Sequence, residues 1–251
     1  MRVLILGGTT EASALAQALA GDPRYAPVLS LAGRTRNPRL PPVPVRIGGF
    51  GGVDGLAHAM REMGAAALID ATHPFAARIS ANAVLAAAEA GVPLLAIRRP
   101  EWVPGEADRW TMLSDLTAAA SALGDTPRRV LLTIGKQDLA PFRAAARHRY
   151  VVRSVEPPDP ALLPPGCTVI AARGPFAEAD ERRLMVEHGI EVIVTKNSGG
   201  AATRAKLDAA RGLGIPVLMT RRPPPSAAES VETVEGALRW LAAHHSARRG
   251  V

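Results

Sequence analysis

"LILGGTTEAS", residues 4–13, decides how the rest of the chain is read. A short apolar run ends in two glycines and leads into an Ala-rich segment, the order strand, turn, helix. In a dinucleotide-binding α/β domain this turn carries G-x-G-x-x-G, with the pyrophosphate lying on the helix N-terminus. Here the pattern from Gly7 is G-x-T-x-x-A: Thr9 stands at the second glycine position and Ala12 at the third. Gly7 and Gly8 permit a tight turn and close backbone approach. Thr9 and Thr10 bring amides and hydroxyls to a helix N-terminus, where the backbone dipoles favour an anion. Two readings follow from this stretch alone: a variant phosphate turn, or a capped turn that holds nothing.

Outward from that turn, apolar runs alternate with Ala-rich segments. Strands are expected at 2–7, 26–33, 66–72, 93–98, 128–135, 149–155, 168–173, 191–196 and 216–221. Helices are expected at 11–20, 54–63, 76–90, 115–123, 139–146, 177–188, 201–212 and 230–243. Nearly continuous apolar strands suit a parallel sheet buried on both faces, and the alternation suits βαβ units. "PPVPV" (41–45) and "EPPDPALLPPG" (156–166) read as surface loops. "GVPLLAIRRP" (91–100) resembles "GIPVLMTRRP" (214–223), 123 residues later, and the shared R-R-P favours two similar halves over convergence. The fold class expected is α/β, two Rossmann-like domains with mostly parallel sheets and an active-site cleft between them. The boundary falls in "RRPEWVPGEADRW" (98–110), giving domains 1–103 and 104–251, with helix 230–243 able to cross back onto the first.

Composition narrows the function. The 251 residues are 47% hydrophobic but only 4% aromatic, so the core is aliphatic. Thirty basic residues against 23 acidic leave a net charge of +7, which suits acidic partners. The cations are dispersed and lack aromatic interleaving, which disfavours nucleic acid and favours a polyanionic small molecule. Cys167 is the only cysteine, consistent with a reducing compartment. The stretch "AVLAAAEAGVPLLAI" is broken by Glu89, Gly91 and Pro93 and is no membrane span. A strand at the very N-terminus and no signal peptide point to the cytoplasm. The six histidines include no H-E-x-x-H, and there is neither a G-x-S-x-G elbow nor a Walker A loop, so no metal is expected.

Ligands of parallel sheets bind at the C-terminal strand ends. "AGRTRN" carries Arg34 and Arg36 where NAD-binding domains place an acid for the ribose hydroxyls; arginine there suits a 2′-phosphate, unless both are simply solvated. "IGGFGG" (47–52), with Gly48 and Gly49, reads as backbone close to a ligand or as a flexible loop. "DATHPFA" (70–76) clusters Asp70, Thr72 and His73, either as capping groups or as a proton donor and orienting residues. In the second half, "TIGKQ", "RSVEP", "ARGPF" and "VTKNSGG" bring Lys136, Arg153, Arg173, Lys196, Asn197 and Ser198 to strand ends. The chain has three lysines against 27 arginines, and two of them, Lys136 and Lys196, lie just past strands.

Taken in order, "ILGGTTEA", "DATHPFA", "TIGKQ", "ARGPF", "VTKNSGG" and "GIPVLMTRRP" resemble the precorrin-6A reductase family of cobalamin biosynthesis, over essentially the whole chain. The resemblance implies an NADPH-dependent oxidoreductase of the CH–CH class that reduces one double bond of the tetrapyrrole to give precorrin-6B. It implies cofactor contacts from Gly7, Gly8, Thr9, Thr10, Arg34, Gly48, Gly49 and Thr72. The polycarboxylate substrate would be gripped by Lys136, Arg153, Arg173, Lys196, Asn197 and Ser198. Candidates for the proton are His73, Asp70, a lysine such as Lys136, or water. The expected protein is a cytoplasmic monomer, working beside neighbouring cobalamin-pathway enzymes. The competing expectation is a non-catalytic NADP-binding sensor using the same first turn.

Overall fold

The computed structural model describes residues 1–33, 35 and 37–248. Arg34 and Arg36 lie outside the described residues. The chain divides into two compact units, Met1–Pro100 with Pro223–Val251, and Glu101–Arg222. Residues 223–251 therefore belong to the first unit, which is discontinuous; the sequence reading drew the boundary at 103/104 and left helix 230–243 able to cross back.

The first unit runs β1 (Arg2–Leu6), α1 (Thr10–Leu19), β2 (Ala26–Leu31), β3 (Val45–Ile47), α2 (Val53–Glu62), β4 (Ala67–Asp70), α3 (Ala77–Ala90) and β5 (Leu94–Ile97). The second holds β6 (Trp110–Leu113), α4 (Leu116–Ala122), β7 (Arg129–Thr133), α5 (Ala140–Ala144), β8 (Arg149–Ser154), β9 (Thr168–Ala171), α6 (Glu178–Glu187), β10 (Val192–Lys196), α7 (Ala205–Leu213) and β11 (Val217–Thr220). The chain then returns to the first unit with β12 (Glu229–Val231) and α8 (Val234–Arg248). Among the described residues no helix is long and apolar enough to cross a membrane.

Each unit is a six-stranded sheet, ordered β12-β5-β4-β1-β2-β3 in the first and β6-β11-β10-β7-β8-β9 in the second. Every strand pair is parallel. The two orders correspond strand for strand, as the repeat of 91–100 in 214–223 suggests. Both copies follow a helix that ends on a glycine in the left-handed region, Gly91 at φ +64° and Gly214 at φ +67°. Each R-R-P lies where the chain passes from one unit to the other. The strand and helix after β5 (β6, α4) join the second unit, and those after β11 (β12, α8) join the first.

Helices cover both faces of each sheet, which is why the central strands are apolar throughout. In the first unit, Leu15 of α1 and Leu241 of α8 pack on Val3 and Ile5. On the opposite face, Met60 of α2 and Ala86 of α3 pack on Leu4 and Leu68. In the second unit, Phe142 of α5 and Ala119 of α4 share a core with Leu132, while Met185 of α6 and Leu207 of α7 pack on Leu131 and Ile193. The three strands absent from the sequence expectation, β3, β6 and β12, are three or four residues long. All lie at sheet edges, too short to impose a pattern.

Candidate functional site

In the first unit the strand order reverses beside β1, with β2 and β3 on one side and β4 and β5 on the other. Such a reversal opens a crevice at the carboxyl ends of the strands, and "GGTTEA" lies there. Gly7 is closely packed: a Cβ would stand 2.6 Å from Leu29 Cδ1 and force that side chain to shift, and the Gly7 N–H donates to the Ser30 carbonyl at 2.9 Å. Gly8 follows at φ +120°, exposed at the mouth of the turn. Thr9 caps α1, its hydroxyl accepting the Ala12 N–H at 3.1 Å and donating to the Ala71 carbonyl at 2.7 Å. The Thr9 hydroxyl is thus committed inside the protein, contrary to its expected role as a ligand group. The Thr10 hydroxyl donates to the Glu11 carboxylate at 3.1 Å. Among the described residues nothing accepts from the N–H groups of Gly8, Thr9 and Thr10. Three uncommitted donors at a helix N-terminus suit a phosphate.

On the β4 side, one oxygen of Asp70 accepts both the Thr72 N–H at 3.1 Å and the Thr72 hydroxyl at 2.6 Å. Asp70 is buried and its carboxylate braces the turn. His73 Nδ1 accepts the Phe75 N–H at 3.2 Å. Thr9, Glu11, Thr72, Pro74, Ile97 and Arg99 line a shallow depression between these turns. The pair inside it, Arg99 Nη1 to Glu11 Oε2 at 2.7 Å, was not foreseen from sequence. Burial pushes the Glu11 carboxyl up, but the Arg99 charge and hydrogen bonds from its own backbone, Thr10 and Arg99 outweigh this and hold it below the usual range. The only sequence signal for Arg99 was its place in the repeated R-R-P.

On the β2 side, Gly48 and Gly49 offer carbonyls to Arg46, at 2.7 and 2.6 Å. Arg46 gave no sequence signal, being one arginine after a proline-rich stretch.

In the second unit, β7 and β10 are adjacent, with Thr195 opposite Thr133. This brings "TIGKQ" and "VTKNSGG" together, and Lys196 Nζ lies 2.7 Å from Asp138 Oδ2. Lys136 Nζ lies 3.6 Å from Glu156 Oε2. Arg173 is exposed and Ser198 half-buried. Two expected substrate residues are otherwise committed. Arg153 is buried, pairs with the equally buried Glu181 and stacks 4.0 Å over the Phe176 ring. Asn197 is buried, its carboxamide oxygen accepting the Trp102 N–H at 2.9 Å. Its nitrogen donates to Glu101 Oε2 at 3.0 Å and to the Trp102 carbonyl at 3.1 Å. These side chains are bound to neighbours inside the unit.

Residues 2–242 match the family described as Precorrin-6x reductase CbiJ/CobK. The chain is 56% identical to a precorrin-6A reductase of Rhodococcus erythropolis over 241 residues, 96% of this chain and 97% of the relative. It is 49% identical to that of Rhodobacter capsulatus over 250 residues, covering 100% and 99%. A cobalt-precorrin-6A reductase of Priestia megaterium is 32% identical, covering 88% and 90%. The solved structure titled CobK precorrin-6A reductase superposes with a TM-score of 0.92 at 49% identity, over 97% of each chain. The two six-stranded sheets, the matched turns and these relatives lead to one conclusion: the chain belongs to the precorrin-6x reductase (CbiJ/CobK) family.

Proposed function

We propose that the chain is a precorrin-6A reductase of cobalamin biosynthesis that uses NADPH and yields precorrin-6B. Family membership supports the substrate. The observation that carries the cofactor is the turn after β1, whose Gly8, Thr9 and Thr10 N–H groups stand uncommitted at the head of α1 where the strand order reverses. Those N–H groups and the positive end of the α1 dipole would hold the pyrophosphate.

When bound, NADPH would supply a hydride to one carbon of a C=C bond, a proton would add to the other carbon, and NADP⁺ would leave. Asp70 holds Thr72 in place, and Thr72 with His73 would orient the reacting end. His73, whose Nδ1 accepts the Phe75 N–H, a lysine such as Lys136 and water are the candidates for the added proton. Lys136, Arg173, Lys196 and Ser198 would hold substrate carboxylates, with Lys196 oriented by Asp138. Arg153, paired with Glu181, and Asn197, bound to Glu101 and Trp102, are left out of this set.

The test is to mix the protein with precorrin-6A and deuteride-labelled NADPH, following nicotinamide absorbance and product mass. Stoichiometric oxidation with one deuterium in the product is expected. Tight NADPH binding without oxidation would instead identify a sensor, and no binding would remove the cofactor assignment.

A further inference from the structure

Arg46 is tied to the phosphate turn through one residue. The Gly7 N–H, which opens the turn, donates to the Ser30 carbonyl at 2.9 Å. Ser30 pairs in register with Arg46 across β2 and β3, and Arg46 Nη1 lies 3.5 Å from the Ser30 hydroxyl. Arg46 is thus on the β2–β3 side of the turn, opposite Asp70, Thr72 and His73 on the β4 side. A dinucleotide whose pyrophosphate lies on the turn extends one nucleoside to each side. With the reacting half over β4, the adenosine half passes over β2 and β3.

The guanidinium is fixed rather than mobile. Nη1 donates to the Gly48 carbonyl at 2.7 Å, Nη2 to the Gly49 carbonyl at 2.6 Å, and the plane stacks 3.9 Å from the Phe50 ring centre. A guanidinium has five N–H donors, and those not engaged in these bonds can meet the oxygens of a tetrahedral, multiply charged phosphate. The surrounding charge is one-sided. Residues 30–52 contain Arg34, Arg36, Arg39 and Arg46 and no Asp or Glu. A carboxylate in this region, which would bond a bare ribose and repel a phosphate, is absent from the sequence.

We propose that Arg46 recognises the 2′-phosphate of the bound cofactor's adenosine and so sets the preference for NADPH over NADH, with Gly48, Gly49 and Phe50 holding its guanidinium in place. This rests on the reading that the α1 turn holds the dinucleotide pyrophosphate.

The experiment is a fluorescence titration of wild type, Arg46→Met and Arg46→Lys with NADPH and with NADH, with 2′,5′-ADP as competitor. Arg46→Met is expected to weaken NADPH about 10- to 100-fold while leaving NADH within about two-fold, the loss of a charge-assisted bond to one ligand only. Arg46→Lys, which keeps the charge and loses the fork, should fall between, and 2′,5′-ADP should weaken in parallel with NADPH. Equal weakening of both nucleotides would mean that Arg46 only shapes the loop, and would overturn the proposal, as would no change in either. A wild type that binds neither nucleotide, or both equally, overturns the cofactor reading itself, and that result is seen before any variant is made. Should Arg46→Met fail to fold, arginine modification of the wild type by phenylglyoxal gives the answer: NADPH and 2′,5′-ADP protect Arg46 and NADH does not. Equal protection by NADPH and NADH overturns the proposal.

Discussion

The Thr9 hydroxyl accepts the Ala12 N–H and donates to the Ala71 carbonyl, joining the turn after β1 to the end of β4. One side chain thereby caps α1 and sets the spacing of two strand-end turns. Thr9→Ala should cost about 1–2 kcal/mol of unfolding free energy, and Thr9→Ser, which keeps both bonds, well under half of that. Urea unfolding checks this. A serine variant as unstable as alanine would show that the methyl group, not the hydroxyl, matters.

Arg153 and Glu181 form a buried pair across β8 and α6. Removing either partner alone strands a charge, so Arg153→Met should destabilise by about 3–5 kcal/mol. The double variant Arg153→Met/Glu181→Leu should recover much of that loss. A double-mutant cycle in urea measures the coupling. Additive losses would mean that the ions are solvated rather than paired.

Asn197 is bound on both sides of its carboxamide by Glu101 and Trp102. Asn197→Ala should cost about 2–3 kcal/mol, since the Trp102 N–H loses its acceptor. Asn197→Asp should be worse at neutral pH, because a second carboxylate then faces Glu101. Its loss should shrink as the pH falls through the carboxylate range, where a protonated Asp can donate again. Unfolding followed by the fluorescence of buried Trp102 reads both variants.

Lys196 is oriented by a neighbour, Asp138. If it grips a substrate carboxylate, Lys196→Met should raise the KM for precorrin-6A about ten-fold with little change in kcat, as expected for binding shared by ground and transition states. A fall in kcat alone, with KM unchanged, would place Lys196 in the chemistry instead.

His148 immediately precedes β8 and is 3% exposed. Burial pushes its pKa below the usual 6.5, and the charges of Arg147 and Arg128 push the same way, against a small opposing pull from the Gly124 backbone. The folded form therefore binds this proton less readily than the unfolded chain. Stability from this group is fully present above the unfolded pKa and is lost as the pH falls below it. Thermal unfolding between about pH 7 and pH 5 should show a decline that His148→Phe flattens. An identical decline in the variant would assign it to carboxylates.

Much of the fold was legible in the chain. Among the described residues eight α-helices overlap the expected segments and nine of the strands the apolar runs, but 230–231, expected to open the last helix, end β12 instead. Double burial makes those strands apolar on both faces, and such runs are visible without any structure. The edge strands β3, β6 and β12 were not visible, because three or four half-exposed residues carry no pattern. At the site, the order of turns was legible because parallel sheets present ligand groups at strand ends. What each side chain does there was not.

The sequence by itself determined the α/β class, the repeat of 91–100 in 214–223, the turn at Gly7–Thr10 and the family resemblance. These depend on local periodicity and on residue order, which a linear string records. Only the tertiary structure decided that β12 and α8 return to the first unit, since edge pairing and helix docking join residues more than 100 positions apart. It alone separated Arg153 and Asn197, turned inward to Glu181 and Trp102, from Lys136 and Lys196 at the strand ends. It alone brought Arg46 beside Ser30, one residue from the phosphate turn. A charge is the same letter whether it is buried in a pair or held at a strand end, and partner and depth are set by packing.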